Sequence, residues 1–230
     1  MWRLSLCFDY AVDVTKPLRR DAERNRQRIL QAAQEVFAAR GVDVMLDDIA
    51  HHAGLGVGTV YRRFPTREDL VEALFDSRLE VIVGWAAEAM EDPDPWAGLN
   101  RFAERAIAAM ADDRGLRDIA FSRAYGRNRV AEVRERLAPV VEALVVRCQQ
   151  AGVVRPDVGG ADLGLIQFML AALLEYTEPV EPGLWRRYLT LMLDGLRSGT
   201  TPLPGAMPDV EAMDRIAENW RPPRRPPADH

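Results

Sequence analysis

Hydrophobic residues recur along most of this chain at the spacing of a helix, not of a strand. Over residues 22–40, Ile29, Leu30, Ala33, Val36 and Phe37 fall on one stripe, and Gly41 supplies a stop. Shorter helical segments follow at 46–53, closed by Gly54, and at 58–64, closed by Pro65. Thr66 opens a long segment to about residue 90. Asp69 stands three residues on, as in a capping box with Asp in place of Glu or Gln. An acidic, proline-broken stretch at 91–95 ends that segment. Helices are then expected over 96–112, 116–125 and 130–151, where Pro139 either kinks the helix or restarts it. A loop at 152–160 precedes helices at 161–177 and 184–198, and a short helix is expected at 209–219. The closing PPRRPPADH is expected to be disordered. No alternating strand pattern and no internal repeat is visible, so the expected fold class is all-α.

The segments at 161–177 and 184–198 are apolar on more than one face, which requires burial on several sides. In a small domain the extra face suggests a subunit interface, two helices from each monomer forming a four-helix bundle. The residues assigned to it are Leu163, Ile166, Leu170, Leu174, Tyr188, Leu191, Met192 and Leu196.

Composition narrows the class. The 230 residues are 48% hydrophobic and 28% charged, which fits a globular protein and not a disordered or collagen-like one. Two cysteines, Cys7 and Cys148, are too few for a disulfide framework, so a reducing cytoplasm fits best. The apolar runs are too short for a membrane helix. The first residues make a poor signal peptide, with one early Arg and no clean small-residue cleavage site. Net charge is −5, which would discourage a nucleic-acid partner. Its distribution reverses that inference. Residues 16–67 hold ten basic groups against six acidic ones, while residues 68–230 hold 19 against 27. A basic cluster of this kind is either the solvated start of a helix or a surface facing phosphates.

The informative stretch is LDDIAHHAGLGVGTVYRRF over residues 46–64. It reads as two short helices joined by a glycine turn, with Ile49, Ala50, Ala53, Leu55, Val60 and Phe64 inside. That is a helix-turn-helix. The outer face of its second helix carries Val57, Gly58, Thr59, Tyr61, Arg62 and Arg63. Small residues there let backbone approach a duplex, and hydroxyl and guanidinium groups can bond phosphates or base edges. The same arginines could equally be solvated. His51 and His52 are adjacent, point different ways and make a poor metal pair; surface or interhelix positions suit them better.

With ILQAAQEVFAARG before this stretch and FPTREDL after it, residues 22–75 closely resemble the TetR family of bacterial transcriptional regulators. The resemblance implies a three-helix DNA-binding domain whose second motif helix lies in the major groove. By position, Val57, Gly58, Thr59 and Arg62 would face bases or nearby backbone. Tyr61, Arg63 and Arg67 would contact phosphate, as would Arg24 and Arg26 at the start of the first helix. Two positions depart from the family pattern. Met45 stands where a Ser or Thr N-cap is common, and Gly56-Val57 where Ser-Lys is common. The second departure puts the usual contact at residue 57 in doubt.

The resemblance further implies a helical C-terminal domain that binds a small molecule and dimerises. On that basis residues 1–18 are a flexible extension, 19–67 the DNA-binding domain, 68–198 the effector and dimerisation domain, and 199–230 a Pro-rich tail. Trp85, Phe102, Met110, Phe121, Tyr125, Leu144, Cys148 and Phe168 are candidates for an apolar effector pocket, although such side chains more often fill a core. The arginines over 114–136 suggest a solvated basic face or, alternatively, a site for an anionic effector. No Gly-x-Ser-x-Gly, His-Glu-x-x-His, Walker loop or Cys-x-x-Cys occurs, so no catalytic set, metal site or cofactor is indicated. The expected partners are operator DNA, a small-molecule effector and a second copy of the chain, with no membrane. The alternatives are a helical sensor or adaptor without DNA binding, and a helical enzyme.

Overall fold

The computed structural model describes residues 15–41, 43–113, 133–197, 199 and 201–219. An N-terminal head is built from α1 (Thr15–Arg40), α2 (Leu46–Ala53) and α3 (Val57–Arg63). Ile29, Ala33 and Phe37 of α1 are fully buried against Ile49 and Ala50 of α2 and Val60 of α3. Each large side chain so buried contributes about 1.5–3 kcal/mol. The helix α1 starts earlier than the periodicity predicts, and α3 is displaced by one residue at each end. Phe64 leaves the helical backbone as the C-cap of α3, with φ −132°, and drops into the core.

The head's core does not end at residue 67. It takes in Leu70, Val71, Leu74, Phe75 and Leu79 from the N-terminal half of α4 (Arg67–Met90). Farther along the same helix, Ala86 and Ala89 belong to a second core. The body around that second core holds α5 (Pro95–Asp112), α6 (Ala138–Gln150), α7 (Gly160–Thr177) and α8 (Trp185–Leu196). Leu99 and Ile107 of α5, Leu144 and Val145 of α6, Leu170 of α7 and Trp185 of α8 meet at its centre. A π-helical turn, Val133–Leu137, leads into α6, and Pro139 lies in the first turn of α6. Proline is tolerated there because the N–H it lacks has no helical partner at that position. The backbone stays helical across this junction, with Leu137 in the right-handed helical region, and changes there from π to α. A last helix, α9 (Val210–Asn219), follows the tail. The helix expected at 116–125 and the PPRRPPADH end lie outside the described residues. No helix among the described residues is long and apolar enough to cross a membrane.

The assignment of side chains to a subunit interface needs correction. Leu163, Ile166, Leu170 and Leu174 of α7, and Leu196 of α8, face inward and are buried within a single chain. They are not available to a second copy. The apolar stripe left outside is a different one, one to two residues out of phase. On α7 it runs through Leu165, Met169, Ala172 and Tyr176, with Met169 50% and Tyr176 61% exposed. At α8 it runs from the N-cap Leu184 through Tyr188 and Leu191, with Leu191 57% exposed and Met192 half-buried beside it. Both stripes follow helical spacing, so an all-round apolar sequence offers no means of choosing between them.

The helix ends explain where the chain turns. Gly54 adopts φ +62° at the end of α2, and its N–H bonds the His51 carbonyl at 3.1 Å while Leu55 N–H bonds that of Ala50 at 3.0 Å. At the start of α4, Thr66 Oγ1 accepts from Asp69 N–H at 3.1 Å, and the Asp69 carboxylate accepts from Thr66 N–H at 2.9 Å. The expected capping box is therefore present. Met45 makes no side-chain cap for α2. Urea denaturation should show the contrast. Thr66→Ala should destabilise the protein by about 1 kcal/mol, whereas Met45→Thr, which adds a missing acceptor, should stabilise it by about 0.5–1 kcal/mol.

Candidate nucleic-acid interface

Helix α3 is held by its inner side and leaves its outer side free. Val60 is fully buried and Phe64 nearly so, which fixes the rotation of the helix. Val57 and Tyr61 are consequently exposed by 43% and 44%, and Gly58, Arg62 and Arg63 are exposed with them. Thr59 is half-buried. A side chain at Gly58 would meet nothing within 4 Å, so internal packing does not demand glycine there. The structure thus gathers Val57, Gly58, Tyr61 and Arg62 on one outward surface.

Charge on this surface is uneven. Among the described residues, neither Arg62 nor Arg63 is in an ion pair, and the Arg63 guanidinium lies 5.6 Å from the Phe64 ring centroid. The Tyr61 hydroxyl bonds the Asp47 carboxylate, and that bond and its negative charge hold the phenol above its usual pKa. Tyr61 therefore stays a neutral donor at any ordinary pH. Arg67 is more engaged than expected. It bonds Asp43 at 3.1 Å and Glu68 at 3.4 Å, so a phosphate would compete with those carboxylates. On α1, Arg24 pairs with Asp21, and Arg26 lies 3.7 Å from Glu23.

Three polar contacts hold α1 against the motif, and the sequence anticipated only that a motif histidine could lie between helices. Arg28 Nη2 donates to the Ala53 carbonyl at 2.8 Å, capping the C-terminal end of α2 with a positive charge. Arg40 bonds Asp48 at 3.2 Å. His52 Nε2 lies 2.6 Å from Glu35, which is the interhelix position considered for a motif histidine. The Glu35 carboxyl is held below its usual range by bonds from His52 and Gln31. A basic residue placed to reach a helix C-terminus is a recognisable signal, but 25 positions separate Arg28 from Ala53.

The candidates for an apolar effector pocket fall in different settings. Phe102, Leu144 and Cys148 are buried in the body's core. Burial pushes the Cys148 thiol up to about 11, and its Sγ contacts the Pro95 carbonyl at 3.2 Å. Met110 and Phe168 are half-buried. Phe121 and Tyr125 lie outside the described residues, as do most of the arginines of 114–136. Arg136 pairs with Asp76 and Glu80 of α4. Trp85 does line a cavity, of about 300 Å³, between α1, α4 and the end of α5.

Comparison with known proteins matches these two parts separately. Residues 29–74 match the bacterial regulatory proteins of the tetR family, and residues 94–198 match the C-terminal domain of SbtR-like transcriptional regulators. The crystal structure of a TetR transcription regulatory protein from Mycobacterium vanbaalenii is 36% identical, with TM-score 0.57 over 79% of this chain and 100% of that one. The TetR transcriptional regulator SCO0520 from Streptomyces coelicolor is 31% identical, with TM-score 0.60 over 76% of this chain and 99% of that one. The HTH-type transcriptional regulator SrpR of Pseudomonas putida is 40% identical over 93 residues, a match spanning 40% of each chain. These relatives are transcriptional regulators, and the enzyme alternative is set aside. The chain belongs to the TetR family of bacterial transcriptional regulators.

Proposed function

We propose that this regulator is a homodimeric repressor that grips a palindromic operator and is released by a small-molecule effector. It would act in the cytoplasm, where the DNA is. The observation that carries the reading is the outward face of α3, presented because Val60 and Phe64 are buried on the other side. Gly58 and Val57 would admit close approach to base edges, Arg62 would reach a base, and Tyr61 and Arg63 would bond phosphates. Arg24, Arg26 and Arg67 would join the phosphate contacts by exchanging their carboxylate partners. The second copy would meet the exposed stripe of Leu165, Met169, Tyr176, Tyr188 and Leu191.

Titrating the protein onto its upstream intergenic DNA over a range of salt tests the DNA reading. Affinity should fall steeply with salt, as it does when arginines displace counterions. Arg62→Ala should cost about 1–3 kcal/mol on the operator and relax discrimination at one base pair. Tyr61→Phe should weaken all sequences alike, by about 0.5–1.5 kcal/mol for a lost hydrogen bond. No selective binding, or a slope near zero, contradicts the proposal. Light scattering tests the dimer. Leu191→Glu should give a folded monomer, whereas Leu170→Glu should fail to fold because that site lies in the core. A dimer that survives Leu191→Glu places the interface elsewhere.

A further inference from the structure

The outward face of α3 carries a side chain that can neither donate nor accept a hydrogen bond. Val57 is 43% exposed, and it is the one aliphatic side chain that α3 leaves outside. It takes no part in the head's core, whether among the buried residues or among the half-buried ones packed on them. Burial of Val60 and Phe64 fixes the rotation of the helix. Val57 and Tyr61, four residues apart, therefore share the outward face with Gly58 and Arg62. The surface beside Val57 is open, because a Cβ at Gly58 would meet no atom within 4 Å. A β-branched side chain has few rotamers, so the two methyl groups of Val57 are aimed in advance. Arg62 and Arg63, both exposed, put positive charge on the same short helix, which suits a polyanion and no apolar partner.

A duplex offers few groups that match an isopropyl. In the major groove every base edge presents polar atoms, and thymine adds an apolar one, its C5 methyl group. Valine pressed on a phosphate or a polar edge strips water from it and returns no hydrogen bond. Pressed on a methyl group, it removes apolar area from water on both sides of the contact. We infer that Val57 is a specificity-determining residue that reads a thymine through its C5 methyl group, one in each half-site of the operator. The inference rests on the DNA reading of α3 and deepens it. Arg62 offers hydrogen bonds to a base edge, whereas Val57 discriminates by burial alone. The selectivity of Val57 is thus for a methyl group and not for a pattern of donors and acceptors.

The test removes that methyl group and nothing else. A duplex bound selectively by the full-length protein is first obtained by selection from a randomised pool. Each thymine is then replaced, one at a time, by deoxyuridine, which pairs as thymine does and lacks the C5 methyl. Fluorescence anisotropy measures the affinity of wild type and of Val57→Ala for every duplex. At one position in each half-site, deoxyuridine should weaken wild-type binding about fourfold, the worth of one buried methyl group. Val57→Ala should bind the thymine and deoxyuridine duplexes at that position equally, because it lacks the methyl groups that reach the base. Selected half-sites without thymine, no penalty at any thymine, or a penalty that persists unchanged in Val57→Ala overturns the inference and leaves the DNA reading intact. Failure to select any duplex overturns both. Val57 lies outside the core, so its truncation leaves the fold standing, and the wild-type deoxyuridine series is decisive without the variant.

Discussion

One helix that belongs to two hydrophobic cores governs this molecule. The first three turns of α4 are buried with α1 and α3, through Leu70, Leu74 and Phe75, and its last turns are buried with the body, through Ala86 and Ala89. A continuous helix has no soft joint between those ends, so rotation of one core is passed to the other. The crossover region is reinforced from outside. Leu137 of the π-helical turn packs against both cores, and Arg136 beside it pairs with Asp76 and Glu80. The capping box at Thr66 and Asp69 sets where α4 begins and therefore where α3 must end.

Given that constraint, the reading surface follows from a few burial choices. Val60 and Phe64 enter the shared core, and Val57, Gly58, Tyr61, Arg62 and Arg63 are exposed as a result. The head's positive balance is concentrated in α1 and α3, while the body and tail carry the negative excess. A duplex responds to the local surface and not to the summed charge of the chain, so a net −5 is compatible with binding DNA. The head also carries opposing carboxylates at Asp21, Glu23, Asp43 and Asp47, each against a group proposed to touch DNA. A phosphate approaching these groups would have to compete with those carboxylates.

The head was legible in the sequence because its signals are local. Gly41 and Gly54 stop helices, Thr66 starts one, and the buried residues of α1 to α3 fall at one helical phase. The body was legible in its helices but not in its contacts. On α7, Leu170 and Met169 are neighbours of similar character, yet one is fully buried and the other half exposed. Only the position of α5 and α6 decides which faces inward. The same limit hid the Arg28–Ala53 bond and the junction cavity, whose walls come from three helices far apart in sequence. Phe102, Leu144 and Cys148 all belong to the buried core of the body.

Because α4 holds α3 at a fixed place on the body, a dimer of this chain would present two such helices at one spacing. Hydroxyl-radical footprinting of the protein on its upstream intergenic DNA measures that spacing. Two protected patches on one face of the duplex, separated by about 34–36 Å or a multiple of it, are predicted. A single patch, or even protection along the fragment with no phase, would contradict the account.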